Sequence, residues 1–309
     1  MSTMKESANK QLFELAARQM GISESFVEKD WHVTQALKAI SNVRQKNFQL
    51  VFSGGTALSK AHKLIQRFSE DIDFIIVAPD ETQSRKARSK LKHDVFNALS
   101  EAGFTIDENQ VVAKNENRFF SIELEYHTIF ERPHSLRPHI QIEMTVKSLQ
   151  LPPVERCVSS FVNELKKTEP EVAEIYCMDP VENAADKLSA IVWRIFDQTQ
   201  RGEIDRSLVR HFYDLALLKE AALNHSNFKK LVACNMEQDK DRPAASDHFS
   251  KLAISDRFNF LLNTLEKDDT YQKEYDLFIK GFSYAKTGMI PNYQTAVDAI
   301  KAMVPFVVT

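Results

Sequence analysis

The sequence predicts an α+β protein: a mixed sheet flanked by helices, followed by an all-helical half. Three observations carry this. Short apolar runs with strand-like alternation fall at 50–53, 72–77, 119–127 and 139–146, all before Leu149. Beyond Pro152-Pro153 and Pro180 the spacing turns helical, over 158–168, 181–198, 206–224, 226–237, 248–266 and 270–284. With 309 residues, the chain can form one large domain or two modest ones. The expected division is 1–150 and 151–309, the second part completing a cleft that holds the site.

In order along the chain, residues 9–20 read as a helix with Leu12, Phe13, Leu15 and Ala16 on one side. Ser23 or Ser25 can cap a second helix carrying Phe26, Val27, Val33, Leu37 and Ile40. The strand at 50–53 feeds a Gly54-Gly55 turn and a helix over 56–66. The strand at 72–77 stops at Pro79, and 82–102 is a basic amphipathic helix ended by Gly103. The stretch 239–247 is polar and reads as a loop.

Composition narrows the function classes. A formal net charge of −3 makes the whole surface no trap for polyanions, so any nucleic-acid contact needs a local basic patch. Arg85, Lys86, Arg88, Lys90 and Lys92, with Lys60, Lys63 and Arg67, offer one; a solvated helix face is the plainer reading. Cys157, Cys177 and Cys234 are scattered and odd in number, which fits neither a disulfide framework nor a zinc site. The N-terminal residues are mixed polar, and no run has the length of a membrane span. A cytoplasmic protein is expected.

The residues that can carry chemistry cluster early. Asp71 and Asp73 are two apart on a strand, so both carboxylates point to one face. Two ionised acids there repel and need a cation or a basic partner. A divalent metal answers this, and Mg²⁺ prefers one or two carboxylates plus phosphate oxygens. Of the chain's seven glycines, Gly54 and Gly55 are adjacent, between a strand and a helix, where backbone can approach a phosphate. Ser53 and Thr56 add hydroxyl donors, and Ser69 should project near the same place. The chemistry this combination serves is nucleotidyl transfer. Glu143 is the candidate third acid, as metal ligand or proton acceptor, with Glu123 and Glu125 competing from the neighbouring strand. Lys187 and Arg194 are seven apart on one helix face and suit a triphosphate; snorkelling cations are the plainer alternative. Asp214 sits in an apolar helix and must have a partner, for which Lys187 or Arg194 would serve.

Phe52-Ser53-Gly54-Gly55-Thr56-Ala57-Leu58-Ser59-Lys60 and Arg67-Phe68-Ser69-Glu70-Asp71-Ile72-Asp73 resemble the signature of the AbiEii/AbiGii-type nucleotidyltransferase-like toxins. Val27-Glu28-Lys29-Asp30-Trp31 resembles that family's N-terminal Glu-Lys-Asp helix. Ala184-Ala185-Asp186-Lys187-Leu188-Ser189-Ala190 and Arg210-His211-Phe212-Tyr213-Asp214-Leu215 resemble its Lys and Asp helices. The chain departs from the family pattern at His211, where many relatives carry an acid. The resemblance implies a polymerase-β-like core and a toxin of a type IV, abortive-infection toxin–antitoxin system. It implies binding of a nucleoside triphosphate with Mg²⁺ and transfer of nucleotides to RNA, tRNA 3′ ends included, which blocks translation. It further implies a cognate antitoxin. On this likeness Asp71 and Asp73 are the metal carboxylates, Ser53, Gly54 and Gly55 contact nucleotide, Lys187 and Asp214 complete the site, and Ser69 matches a serine phosphorylated in some branches. Two alternatives stand beside it: a nucleotide-binding module that acts through a partner protein, and an enzyme that nucleotidylates a protein hydroxyl.

Overall fold

The computed structural model describes residues 2–78, 84–133, 136–202, 204–239, 249, 251–286 and 288–308. The polar loop expected over 239–247 lies outside the described residues beyond Asp239. The chain divides into two compact units. One comprises Met1–Lys63 and Arg67–Met178; the other comprises Leu64–Gln66 and Asp179–Thr309.

The first unit is built on an eight-stranded mixed sheet. Helices α1 (Ser2–Met20) and α2 (Glu24–Ser41) precede β1 (Gln49–Ser53). A single-turn helix, α3 (Gly54–Thr56), continues as a π-helical turn, Ala57–Ala61. Then come β2 (Asp71–Val77), α4 (Arg85–Glu101), β3 (Thr105–Ile106), β4 (Val112–Lys114), β5 (Phe119–Glu125) and β6 (His139–Val146). β7 (Val154–Val158), α5 (Phe161–Lys166) and β8 (Val172–Cys177) close the unit. The strand order is β3-β5-β6-β2-β1-β8-β7, with β4 beside β5. β2 runs antiparallel to β1 and parallel to β6.

Alternation in β2 separates two environments. Ile72, Phe74 and Ile76 point into a core with Ile122 and Leu124 of β5, Ile142 and Met144 of β6, Val33, Leu37 and Ile40 of α2, and Leu91, Val95 and Leu99 of α4. These two helices give up their apolar stripes to one face of the sheet, and Ser84 caps α4 by accepting from Ala87 N at 3.2 Å. Asp71 and Asp73 therefore stand on the other face.

Two strands, β7 and β8, lie within the part expected to be all helical, on either side of the stretch with helical spacing at 158–168, and they carry the sheet past residue 150. The two-residue phase of β8 is visible over its last four residues, with Ile175 and Cys177 buried and Glu174 and Tyr176 not. β7 is a charged edge strand whose Glu155 and Arg156 face outward. Such composition blunts a sheet edge and hides the strand from an apolar-pattern reading.

The second unit is helical: α6 (Pro180–Arg201), α7 (Val209–Leu223), α8 (Phe228–Gln238), α9 (Ile254–Lys267), α10 (Thr270–Phe282) and α11 (Tyr293–Val308). Asp179 caps α6 by accepting from Val181 N at 2.7 Å, and Pro180 occupies its first turn. Ile191, Ile195, Phe212, Leu215, Phe258, Leu261, Ile300 and Met303 are buried between these helices. Among the described residues no helix is long and apolar enough to cross a membrane.

Candidate active site

The bend after β1 is shaped by what lies against it. Gly54 has φ +73°, a left-handed conformation that L side chains avoid, and a Cβ there would sit 2.9 Å from Asp73 Cγ. A Cβ on Gly55 would lie 3.0 Å from Ser69 Oγ and 3.2 Å from Arg67 Cζ. The two glycines thus let the chain turn flush against Asp73 on one side and Ser69 on the other. Ser53 Oγ donates to the Asp73 carbonyl at 3.3 Å, and Thr56 Oγ1 donates to the Asp71 carbonyl. Both hydroxyls tie the bend to the start of β2.

Asp71 and Asp73 are half-buried and share the open face of the sheet. Glu143 pairs in register with Asp73, and Gln141 with Asp71. The three acids are thus neighbours on two parallel strands. Partial loss of hydration, and next the Asp71 charge, raises the pKa of Glu143 even though its side chain is open to solvent. Among the described residues no three His, Cys, Asp or Glu side chains gather closely enough to form a ready-made metal cage. Two hard oxygen donors on one face nonetheless suit a cation that keeps waters and completes its shell with phosphate oxygens, as Mg²⁺ does.

Either a cation or a basic partner can answer the paired acids. A basic partner is present: Arg137 Nη1 donates to Asp71 Oδ1 at 2.7 Å. It comes from the segment joining β5 to β6 and was not singled out from sequence. Behind it lies Glu70, whose Oε2 accepts from Arg137 N at 3.0 Å and from Lys29 Nζ at 2.5 Å. Lys29 and Glu70 are buried. On the same helix, Asp30 pairs with Lys60 and accepts from Phe161 N at 2.8 Å. Burial pushes the Asp30 pKa up and the Lys29 pKa down, and the opposite charge of Lys60 or Glu70 works against each shift. The Glu-Lys-Asp run is thus a brace: it ties α2 to the π turn through Lys60 and to β2 through Glu70.

The same brace corrects the expected basic path. Lys60 is buried against Asp30, Arg67 is buried with Nη1 on the Phe68 carbonyl at 3.2 Å, and Arg88 is buried and paired with Glu116 at 3.2 Å. These three cations serve the fold.

In the second unit Lys187 Nζ and Asp214 Oδ2 meet at 2.9 Å, with side chains 6% and 0% exposed. Asp214 has the partner its apolar helix demanded. His211 lies alongside, Nδ1 3.4 Å from Lys187 Nζ and Nε2 3.0 Å from Arg194 Nη1. Although the ring keeps some accessible surface, loss of hydration, then Lys187 and Arg194, holds its pKa well below the usual value. A guanidinium only donates, so Nε2 is assigned as acceptor and the proton as residing on Nδ1. That leaves the approach to Lys187 an electrostatic opposition rather than a hydrogen bond. Arg194 is further engaged by Asp205 and by Ser207 Oγ at 3.1 Å.

No curated protein matches. The solved structure of MenT4, a nucleotidyltransferase toxin from Mycobacterium tuberculosis H37Rv, is similar, with a TM-score of 0.52 and 18% identity over 94% of this chain and 98% of that chain. That likeness is one of fold. The family model described as "Nucleotidyl transferase AbiEii toxin, Type IV TA system" matches residues 35–299. The chain therefore belongs to the AbiEii family of nucleotidyltransferase toxins of type IV toxin–antitoxin systems.

Proposed function

We propose that the protein transfers a nucleotide from a nucleoside triphosphate to the 3′-hydroxyl of an RNA, tRNA foremost, with Asp71 and Asp73 holding Mg²⁺. The observation that carries this is the juxtaposition of the β2 carboxylates with the Gly54–Gly55 bend. When bound, the metal supplies Lewis-acid charge at the phosphoryl oxygens. Asp71 and Asp73 supply its protein oxygens. Gly54 and Gly55 admit the triphosphate close to the backbone. Glu143, its pKa raised, accepts the proton of the attacking hydroxyl. The new bond forms from that hydroxyl oxygen to the α-phosphorus; the α–β bridging P–O bond breaks and pyrophosphate leaves. In the second unit Asp214 orients Lys187, the candidate cation there for an anionic substrate. Arg194, engaged by Asp205, Ser207 and His211, is the second candidate cation for a phosphate. The biological reading is a cytoplasmic toxin that blocks translation in abortive infection and is neutralised by a cognate antitoxin.

Family membership sets aside the module without catalysis. Nucleotidylation of a protein hydroxyl remains the second reading, favoured by the burial of Lys60, Arg67 and Arg88 and by the net charge of −3. One experiment separates the two. Cell extract is incubated with each α-labelled NTP and the purified protein, then digested with RNase or with protease. Label lost to RNase alone supports the first reading; label lost to protease alone overturns it. Asp71→Ala must abolish labelling in either case.

A further inference from the structure

Arg137 has a tightly held backbone and a part-exposed head. Buried Lys29 donates to its carbonyl at 2.9 Å, and buried Glu70 accepts from its N–H at 3.0 Å. Glu28, also buried, accepts from Ile129 N at 2.7 Å and so anchors the same segment eight positions upstream. Two buried charged side chains, one from α2 and one at the start of β2, are thus committed to where one residue of a connecting segment stands. Its guanidinium is 40% exposed: Nη1 rests on Asp71, which is 20% exposed, and Nε lies 3.7 Å from Glu70 Oε1.

We infer that Arg137 is a positioning residue that holds Asp71 in the nucleotide-free protein and passes to the phosphates when the triphosphate arrives. The inference rests on the reading that Asp71 takes the metal. One carboxylate oxygen cannot serve a guanidinium and a divalent cation in full, so Arg137 weakens metal binding until something draws it off. A triphosphate can do so: its oxygens match the planar guanidinium fork and carry more charge than one carboxylate. The half-exposed pair is weak enough to exchange, worth about fivefold at most in an equilibrium constant. Linkage then makes the effect reciprocal, with nucleotide favouring metal by the factor that metal favours nucleotide.

The probes are Mn²⁺ alone, followed by electron paramagnetic resonance of the free ion, and inorganic triphosphate in EDTA, followed by calorimetry. Both are run on the full chain as wild type, Arg137→Ala and Asp71→Asn. Arg137→Ala should bind Mn²⁺ about three- to fivefold more tightly than wild type and triphosphate about three- to fivefold more weakly. If Asp71→Asn loses Mn²⁺ while Arg137→Ala matches or falls below wild type, the exchange is wrong and the metal assignment stands. If Asp71→Asn binds Mn²⁺ as wild type does, both are wrong. Arg137→Gln replaces Arg137→Ala should the alanine variant fail to fold.

Discussion

The start of β2 and the α6–α7 pair both hold a carboxylate against a cation, yet they treat that charge differently. In the first unit, structural pairs are buried (Lys29–Glu70 and Lys60–Asp30) while the acids assigned to chemistry, Asp71 and Asp73, stand half-buried on the open face of a strand. Strand alternation makes that separation possible, because adjacent residues face opposite sides. In the second unit, Lys187 and Asp214 are themselves buried, inside the packing stripe of their helices. There the pair proposed for function also holds the fold. Charge on a strand face is separable from stability, and charge within a helix interface is not.

The sharpest way to break that comparison is a crossed pair of variants. Asp71→Ala should lower transfer by about 10³-fold or more, since metal-assisted charge stabilisation supplies several kcal/mol. Its unfolding midpoint should not fall, because the lost ion pair is solvent-screened and a repulsion with neighbouring acids is relieved. Asp214→Ala strands Lys187 as a buried charge and should cost about 3–5 kcal/mol of stability along with activity. Denaturant unfolding and labelled transfer, measured on both proteins, decide it. Equal loss of stability in the two would end the distinction.

A smaller effect sharpens it. Gly54 and Gly202 both adopt left-handed φ, +73° and +70°, but a Cβ on Gly202 meets nothing within 4 Å. Alanine at either position should cost about 1–2 kcal/mol of backbone strain. Only Gly54→Ala should also displace the Asp73 carboxylate, and so lower transfer by more than about tenfold, the equivalent of some 1.4 kcal/mol. Transfer retained in Gly54→Ala would show that the bend tolerates a side chain and that its closeness to Asp73 is incidental.

Local pattern made part of this legible in sequence. The two-residue spacing of Asp71 and Asp73 in an apolar strand placed them on one face, and a lone acid in the apolar α7 required a cation for Asp214. Arg137 was not legible. It lies 66 positions from Asp71, in a segment without periodicity, and only the parallel pairing of β2 with β6 brings it back. Lys29, Asp30 and Lys60 were visible as motif letters but not in their roles, because a buried ion pair and a solvated one are spelled alike. Lys60 was grouped with surface cations for that reason. β7 was hidden by its own outward charges, and α11 went unread although Ala296, Ile300 and Met303 form a helical stripe.

The gentlest test uses two histidines, one in each unit. His32, beside Trp31 and Tyr126, has its pKa lowered to about 4 by burial, against which a hydrogen bond from its ring to the His127 backbone works. His211 is lowered by loss of hydration and then by Lys187 and Arg194. Both groups stay neutral in the folded state while the unfolded chain takes up a proton near pH 6.5. Each therefore contributes stability that is present above pH 6.5 and lost as pH falls below it. Moving from pH 7 to pH 6 should cost about 0.7 kcal/mol per histidine. The chain's two tryptophans allow the units to be read apart, since Trp31 belongs to the first and Trp193 to the second. In a Trp193→Phe background, His32→Gln should flatten the pH dependence of urea unfolding seen by Trp31. In a Trp31→Phe background, His211→Gln should do the same for Trp193. A pH slope unchanged by His211→Gln would mean that the imidazole is not held neutral between Lys187 and Arg194, and the buried cluster of the second unit would have to be redrawn around a charged ring.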